Sequence, residues 1–316
     1  MEVLIKRRLV SNENLCALLA KTLTRYGEEP AIFFAKALAD TDSPETLYPQ
    51  IILTADKFSD AIHGVAGLMT VDIICSQENE TTPEPIEKLV RQSLEGVFFR
   101  GEEIFLLKWQ KTELYQEPTS ERMPLIVGAT ITFEIYEFPN AVTSDPDPID
   151  AINHWAASWD ENLTVIGVSE FGEIFEPTHE KPAVYFDLQI TRLAEQQHAL
   201  VWVDCVINCH VFAPKVKSRR EWLTAINHAL MLQGAVHMLD NSPMRLQGAE
   251  QNFAATEIEG QLKLSFQFGL RRKQRYAHTL MERNLSFDEN IRRPGNWRKT
   301  SFPLRNDEGD LDVSNF

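Results

Sequence analysis

Apolar residues recur along this chain with two periods, one helical and one of strands, and the order of periods runs through twice. Ser11 is placed to cap a helix whose apolar face is Leu15, Leu18, Leu19, Leu23 and Tyr26, with Gly27 ending it. Three strands are predicted next, over 32–38, 50–54 and 68–76, the middle pair joined by a longer polar loop that can form an extended hairpin arm. Thr82-Pro83 opens a second helix, because proline at the first helical position gives up no hydrogen bond. Its buried face is Ile86, Leu89, Val90, Leu94 and Val97. Strands over 104–111 and 129–138 close the unit. In the last, Ala129, Ile131, Phe133 and Ile135 alternate with Thr130, Thr132, Glu134 and Tyr136, the pattern of a strand with one polar face.

After an acid- and proline-containing linker the pattern starts again. Asp147 and Pro148 open a helix with a stripe of Ile149, Ile152, Trp155, Ala156 and Trp159. Strands follow over 164–168, 183–190 and 200–212. Ser218-Arg219-Arg220-Glu221 has the form of a capping box, ahead of an apolar face of Trp222, Ala225, Ile226, Ala229 and Leu230, with Gly234 as the stop. The closing strand alternates Leu262, Leu264, Phe266 and Phe268 with Lys263, Ser265 and Gln267.

Landmarks of the two halves lie about 132 residues apart: Leu68-Met69-Thr70-Val71-Asp72 matches Leu200-Val201-Trp202-Val203-Asp204, and 124–128 matches 256–260. The last strands align better at 133, which requires an indel between, since a one-residue slip turns a strand over. A period this long is a whole domain, not a solenoid repeat. The expected fold class is α+β: two tandem copies of a small domain, each with a mostly antiparallel or mixed β-sheet flanked by helices, plus an extended C-terminal arm. The expected boundaries are a first domain over 1–140, a linker over 141–147, a second domain over 148–270 and a basic arm over 271–316.

Charge divides the chain differently. Its net charge is −15, but residues 1–269 carry 21 basic and 39 acidic side chains, while 270–305 carry 10 basic and 3 acidic. An acidic body repels nucleic acid, so nucleic acid is not expected as a partner except through the arm. The arm interleaves basic and aromatic residues: Arg271, Arg272, Arg275 and Tyr276, then Arg292, Arg293, Trp297 and Arg298. Such a segment suits phosphates and stacked bases, or the acidic body of a neighbouring copy, and the charge of the body favours docking on a neighbour. The bland alternative is a flexible tail, against which Trp297 and Phe302 argue.

Motifs for chemistry do not emerge. No glycine-rich phosphate loop, nucleophile elbow or histidine-based metal motif occurs, so no enzyme activity, cofactor or metal is expected. Cys205 and Cys209 share a strand face but lie roughly 13 Å apart at strand rise, too far for one bond or one ion. Asp72 and Asp204, in matching strands, are candidate assembly contacts rather than an acid pair, because Asp204 shares a polar face with Trp202, Asn208 and His210. No run is apolar enough to span a bilayer and the N-terminus has no signal-peptide pattern, so no membrane partner is expected.

An acidic, motif-free α/β unit of this size, with the Pro-Glu-Pro-Ile-Glu-Lys-Leu-Val and Ser-Arg-Arg-Glu-Trp-Leu helices and Gly-led closing strands, resembles the tail terminator and tail completion proteins of long-tailed bacteriophages. The resemblance covers roughly 11–138 and 148–270, and the chain departs from that family in being a tandem copy with a basic arm. It implies a virion structural protein, assembled in the host cytoplasm, that closes into a ring at the end of a tail. The implied partners are other copies of itself, the tail tube or sheath and neck proteins. A baseplate or other tail adaptor, and a nucleic-acid-associated module acting through the arm, are the alternatives.

Overall fold

Alternation and capping build two mixed sheets with helices against them, in a computed structural model that describes residues 1–24, 27–35, 47–58, 64–78, 81–117, 125–144, 146–197 and 200–271. By its contacts the chain divides into one unit of Met1–Ala194 with Val203–Gly269 and a second of Glu195–Trp202 with Leu270–Phe316. Both hydrophobic cores described below fall in the first.

The N-terminus differs from the single helix expected. Helix α1 (Glu2–Val10) ends at Ser11, whose hydroxyl donates to the Arg8 carbonyl at 2.7 Å, so Ser11 closes a helix instead of opening one. Asn12 caps the six-residue α2 (Glu13–Leu18), its side chain accepting from Leu15 N–H at 3.1 Å. The same Asn12 amide donates to Ser93 Oγ at 2.9 Å, a tertiary tie that fixes this start. Beyond α2 the chain becomes β1 (Lys21–Thr24), paired with β2 (Gly27–Pro30), and Leu23 points into solvent instead of the core.

The first sheet contains β3 (Ile32–Phe34), β4 (Gln50–Lys57), β5 (Gly67–Ser76), β6 (Phe98–Arg100), β7 (Ile104–Glu117) and β8 (Ile126–Phe138), with α3 (Pro83–Leu94) between β5 and β6. One face of it buries Ile51, Leu53, Met69, Val71, Ile73, Ile131, Phe133 and Ile135 with Ile5, Leu9, Leu15, Ile86, Val90 and Leu94 of the helices. The predicted strands and the α3 face are therefore the core itself. Gly128 is where a side chain has no room: a Cβ there would collide with the Tyr115 ring and lie 2.7 Å from the Ile73 carbonyl.

The second sheet contains β9 (Thr164–Val165), β11 (Ala183–Gln196), β12 (Leu200–Phe212), β13 (Ala235–His237), β14 (Pro243–Gln251) and β15 (Leu262–Arg271). Helix α4 (Pro148–Trp159) precedes it and α5 (Val216–Gln233) is inserted between β12 and β13. The short β10 (Ile174–Phe175) leaves this half and pairs with β6 of the first sheet, Phe175 opposite Phe98. Without β10, the spatial orders are β6-β7-β8-β5-β4-β3 and β13-β14-β15-β12-β11-β9. These are the same order: the strand beside the helix insertion is central in both, and the outermost β3 and β9 run parallel to β4 and β11. The Leu68 and Leu200 landmarks fall on the corresponding β5 and β12. The second landmark fits less well, for Gly128 lies inside β8 while Gly260 precedes β15 with a φ of 84°.

The expected capping box does not form. Helix α5 starts at Val216 behind Lys215, which makes no side-chain cap bond, and Ser218 is buried with its Oγ 2.7 Å from His179 Nδ1. A tertiary partner has taken the hydroxyl that a local cap needs. Gly234 ends the helix in the left-handed region, at φ 72°.

Asp147 does cap α4. Its carboxylate accepts from the N–H groups of Ile149 and Asp150 ahead of it and of Thr143 and Ser144 behind it, the four at 2.7–3.2 Å. Burial pushes this carboxyl up, but the four backbone donors outweigh burial and hold it below the usual range. A depressed folded value means stability that is present above the unfolded value, near 4, and lost as pH falls through the folded one. Asp147→Ala should cost about 2 kcal/mol at pH 7 by urea denaturation. The difference from the parent should shrink steadily below about pH 4.

Candidate functional site

Each sheet has a second face that its helices leave free, and strand register arranges the side chains there in rows. In the first sheet Ile52, Asp72, Thr130 and Glu113 are cross-strand neighbours, as are Thr54, Thr70, Thr132 and Lys111. Asp72 accepts a hydrogen bond from Thr130 Oγ1 at 2.7 Å. In the second sheet Asp204 accepts from Gln267 Nε2 at 2.9 Å. The two aspartates thus occupy corresponding central strands, each bonded to the closing strand of its own sheet. They are not brought together as one acid pair.

The two free faces meet at one end. Leu106 and Phe138 of the first sheet pack with Ala183 and Phe212 of the second, around Phe98 and Ile166. Phe138 stands edge-on to Tyr185 and Phe212, at 5.1 and 5.4 Å between ring centres. Lys108 reaches Glu257 at 3.8 Å, and Arg219 also pairs with Glu257.

Beside this junction is a cavity of about 460 Å³, lined by Tyr136, Tyr185, Asp187, Asn208, His210 and Glu259 among others. Asp187 and His210 are buried, with His210 Nε2 2.9 Å from Asp187 Oδ1 and Nδ1 2.9 Å from the Glu257 carbonyl. Gln189 donates to the other Asp187 oxygen. Both ring nitrogens are thus engaged within the protein, and neither is presented to a substrate as a base. Its geometry is that of a tie between β11, β12 and the 256–260 loop. Burial pushes the phenols of Tyr136 and Tyr185 up, with Glu134 and Asp187 adding to the effect, so both stay neutral donors, to Glu134 Oε2 and the Pro139 carbonyl.

All four cysteines are free thiols. Burial raises Cys75 to about 11 and Cys205 to about 12, and raises Cys16 and Cys209 as well, which suppresses the thiolate a nucleophile requires. Among the described residues, no group of three or more His, Cys, Asp or Glu side chains is placed to hold a metal ion. No helix among them is long and apolar enough to cross a membrane.

The outer half of the hairpin strand β11 is exposed. Every residue from Gln189 to Ala194 is exposed, so both of its faces meet solvent there, Leu193 at 58% of its full area. Among the described residues, the pairing found along its outer edge is at the base, Ala183 and Val184 with β9. Apolar side chains exposed on a strand of this kind suit pairing with another chain.

No family model matches the chain, and no curated protein is detectably similar to it in sequence.

Of the arm residues singled out from sequence, Arg271 is the exposed last residue of β15. Arg272, Arg275, Tyr276, Arg292, Arg293, Trp297 and Arg298 lie outside the described residues. The pair Asp187 and His210 was missed, although alternation put His210 on a polar strand face. The missing signal was register. Gln197 bonds to Leu200 across the turn, and ten residues outward on each strand lie Asp187 and His210.

Proposed function

We propose that this chain is a structural ring or adaptor protein of a phage-like particle, built from two diverged copies of one domain. The strongest support is β11, with apolar Ile190 and Leu193 in solvent. The common strand order of the two sheets supports the duplication. A head-to-tail contact that closes makes a ring, and two domains per chain let three chains mimic six-fold symmetry. The neighbours in this reading are further copies of the chain, a tail tube or sheath, and neck proteins, in a virion assembled in the host cytoplasm.

Light scattering with negative-stain imaging tests it. The full chain should give a closed ring of three or six copies. Leu193→Lys, a change that leaves both cores intact, should shift it to monomer by weakening association roughly tenfold or more. A parent chain that stays monomeric at high concentration and in the presence of tail tubes would remove the proposal.

A further inference from the structure

The cavity at the sheet junction has the chemistry of a cation receptor. Three carboxylates line it, those of Glu137, Asp187 and Glu259, and no lysine or arginine does. Tyr136, Phe138 and Tyr185 supply aromatic surface beside them. Aromatic faces next to carboxylates suit a guanidinium or ammonium group, which gains from both the ring quadrupole and the charge. At about 460 Å³ the space falls within the range of ligand sites and accommodates one long side chain.

The same chain carries the complementary ligand. Between 270 and 305 it has 10 basic and 3 acidic residues, and arginine and lysine alternate there with Tyr276, Trp297 and Phe302. We propose that the cavity receives an arginine or lysine side chain from segment 271–299 of a second copy. This inference rests on the assembly reading above and specifies its contact: one copy offers the cavity, the next offers the segment. Glu259 at the rim is the exposed carboxylate that meets the incoming cation, while Asp187 is tied to His210 and Gln189 and Glu137 is paired with Lys57.

The test uses the full chain with Gln189→p-benzoylphenylalanine, a photo-reactive group on an exposed residue of the cavity lining, mixed in equal amounts with heavy-isotope-labelled parent chain. Mass spectrometry of the cross-linked peptides should find 271–299 of the heavy chain joined to position 189 of the light one. Adding Glu259→Lys to the photo-reactive chain should cut that yield about tenfold, with its unfolding midpoint unchanged as the check on folding. Oligomers by light scattering with cross-links elsewhere, within one chain only, or insensitive to Glu259→Lys, would overturn the cavity assignment and leave the assembly reading standing. Monomers without cross-links, at high concentration and with tail tubes present, would overturn both.

Discussion

Replacing Asp187 by alanine will lower the unfolding free energy by about 3–5 kcal/mol, the cost of leaving a buried partner without its counterpart. His210 is 7% exposed, as is Asp187, so the carboxylate is the main partner that His210 Nε2 has. The loss has two parts: His210 Nε2 is stranded, and the Gln189 amide loses its acceptor on the same strand. Asp187→Asn should cost less, since its side-chain carbonyl can still accept from Nε2. The double change Asp187→Leu with His210→Leu should recover much of the single loss, because an apolar pair needs no partner. Urea denaturation of the three variants separates these terms. A loss below about 1 kcal/mol for Asp187→Ala would mean that the pair does not hold the two strands.

Much of this architecture was readable from alternation, and what was not has physical causes. The closing strand of the first half and the central strand of the second obey a period of two, since each buries one face only: Ala129, Ile131, Phe133 and Ile135 are buried, as are Val203, Cys205, Ile207 and Cys209. Asp147 and Gly234 were also legible, because a cap acts through its nearest neighbours in sequence. Ser11 and Ser218 misled because each has a competing bond. Ser11 donates to the carbonyl behind it, and Ser218 meets His179, 39 residues away. Long-range partners of this kind leave no local trace. The candidate cavity was hidden for the same reason. It needs the turn position of one hairpin, the end of β8 and the 256–260 loop at once, and only tertiary structure brings these together. The common strand order was anticipated by the paired landmarks, but the transfer of β10 to the first sheet was not: two residues, Ile174 and Phe175, carry no period at all.

That transfer gives Phe98 aromatic neighbours from both sheets and from the borrowed strand. Its ring is fully buried and lies 5.0 Å edge-on to Phe212 and 5.4 Å from Phe138, with Phe175 of β10 at 6.5 Å. One side chain therefore joins β6, the end of β8, the end of β12 and the borrowed strand. Phe98→Ala removes the largest contributor to this junction and leaves a cavity between the sheets, at a cost of about 3–5 kcal/mol. For a chain of this size that corresponds to a fall of about 10 °C in melting temperature. Phe133→Ala is the matched control: it deletes an equally buried ring from the first core and should cost a similar amount. The two should differ in the shape of unfolding. Weakening a core lowers one cooperative transition, whereas weakening the junction lets the two sheets melt separately, so calorimetry of Phe98→Ala should resolve two transitions. A single transition in both variants would mean that β10 and Lys108 couple the sheets without the aromatic cluster.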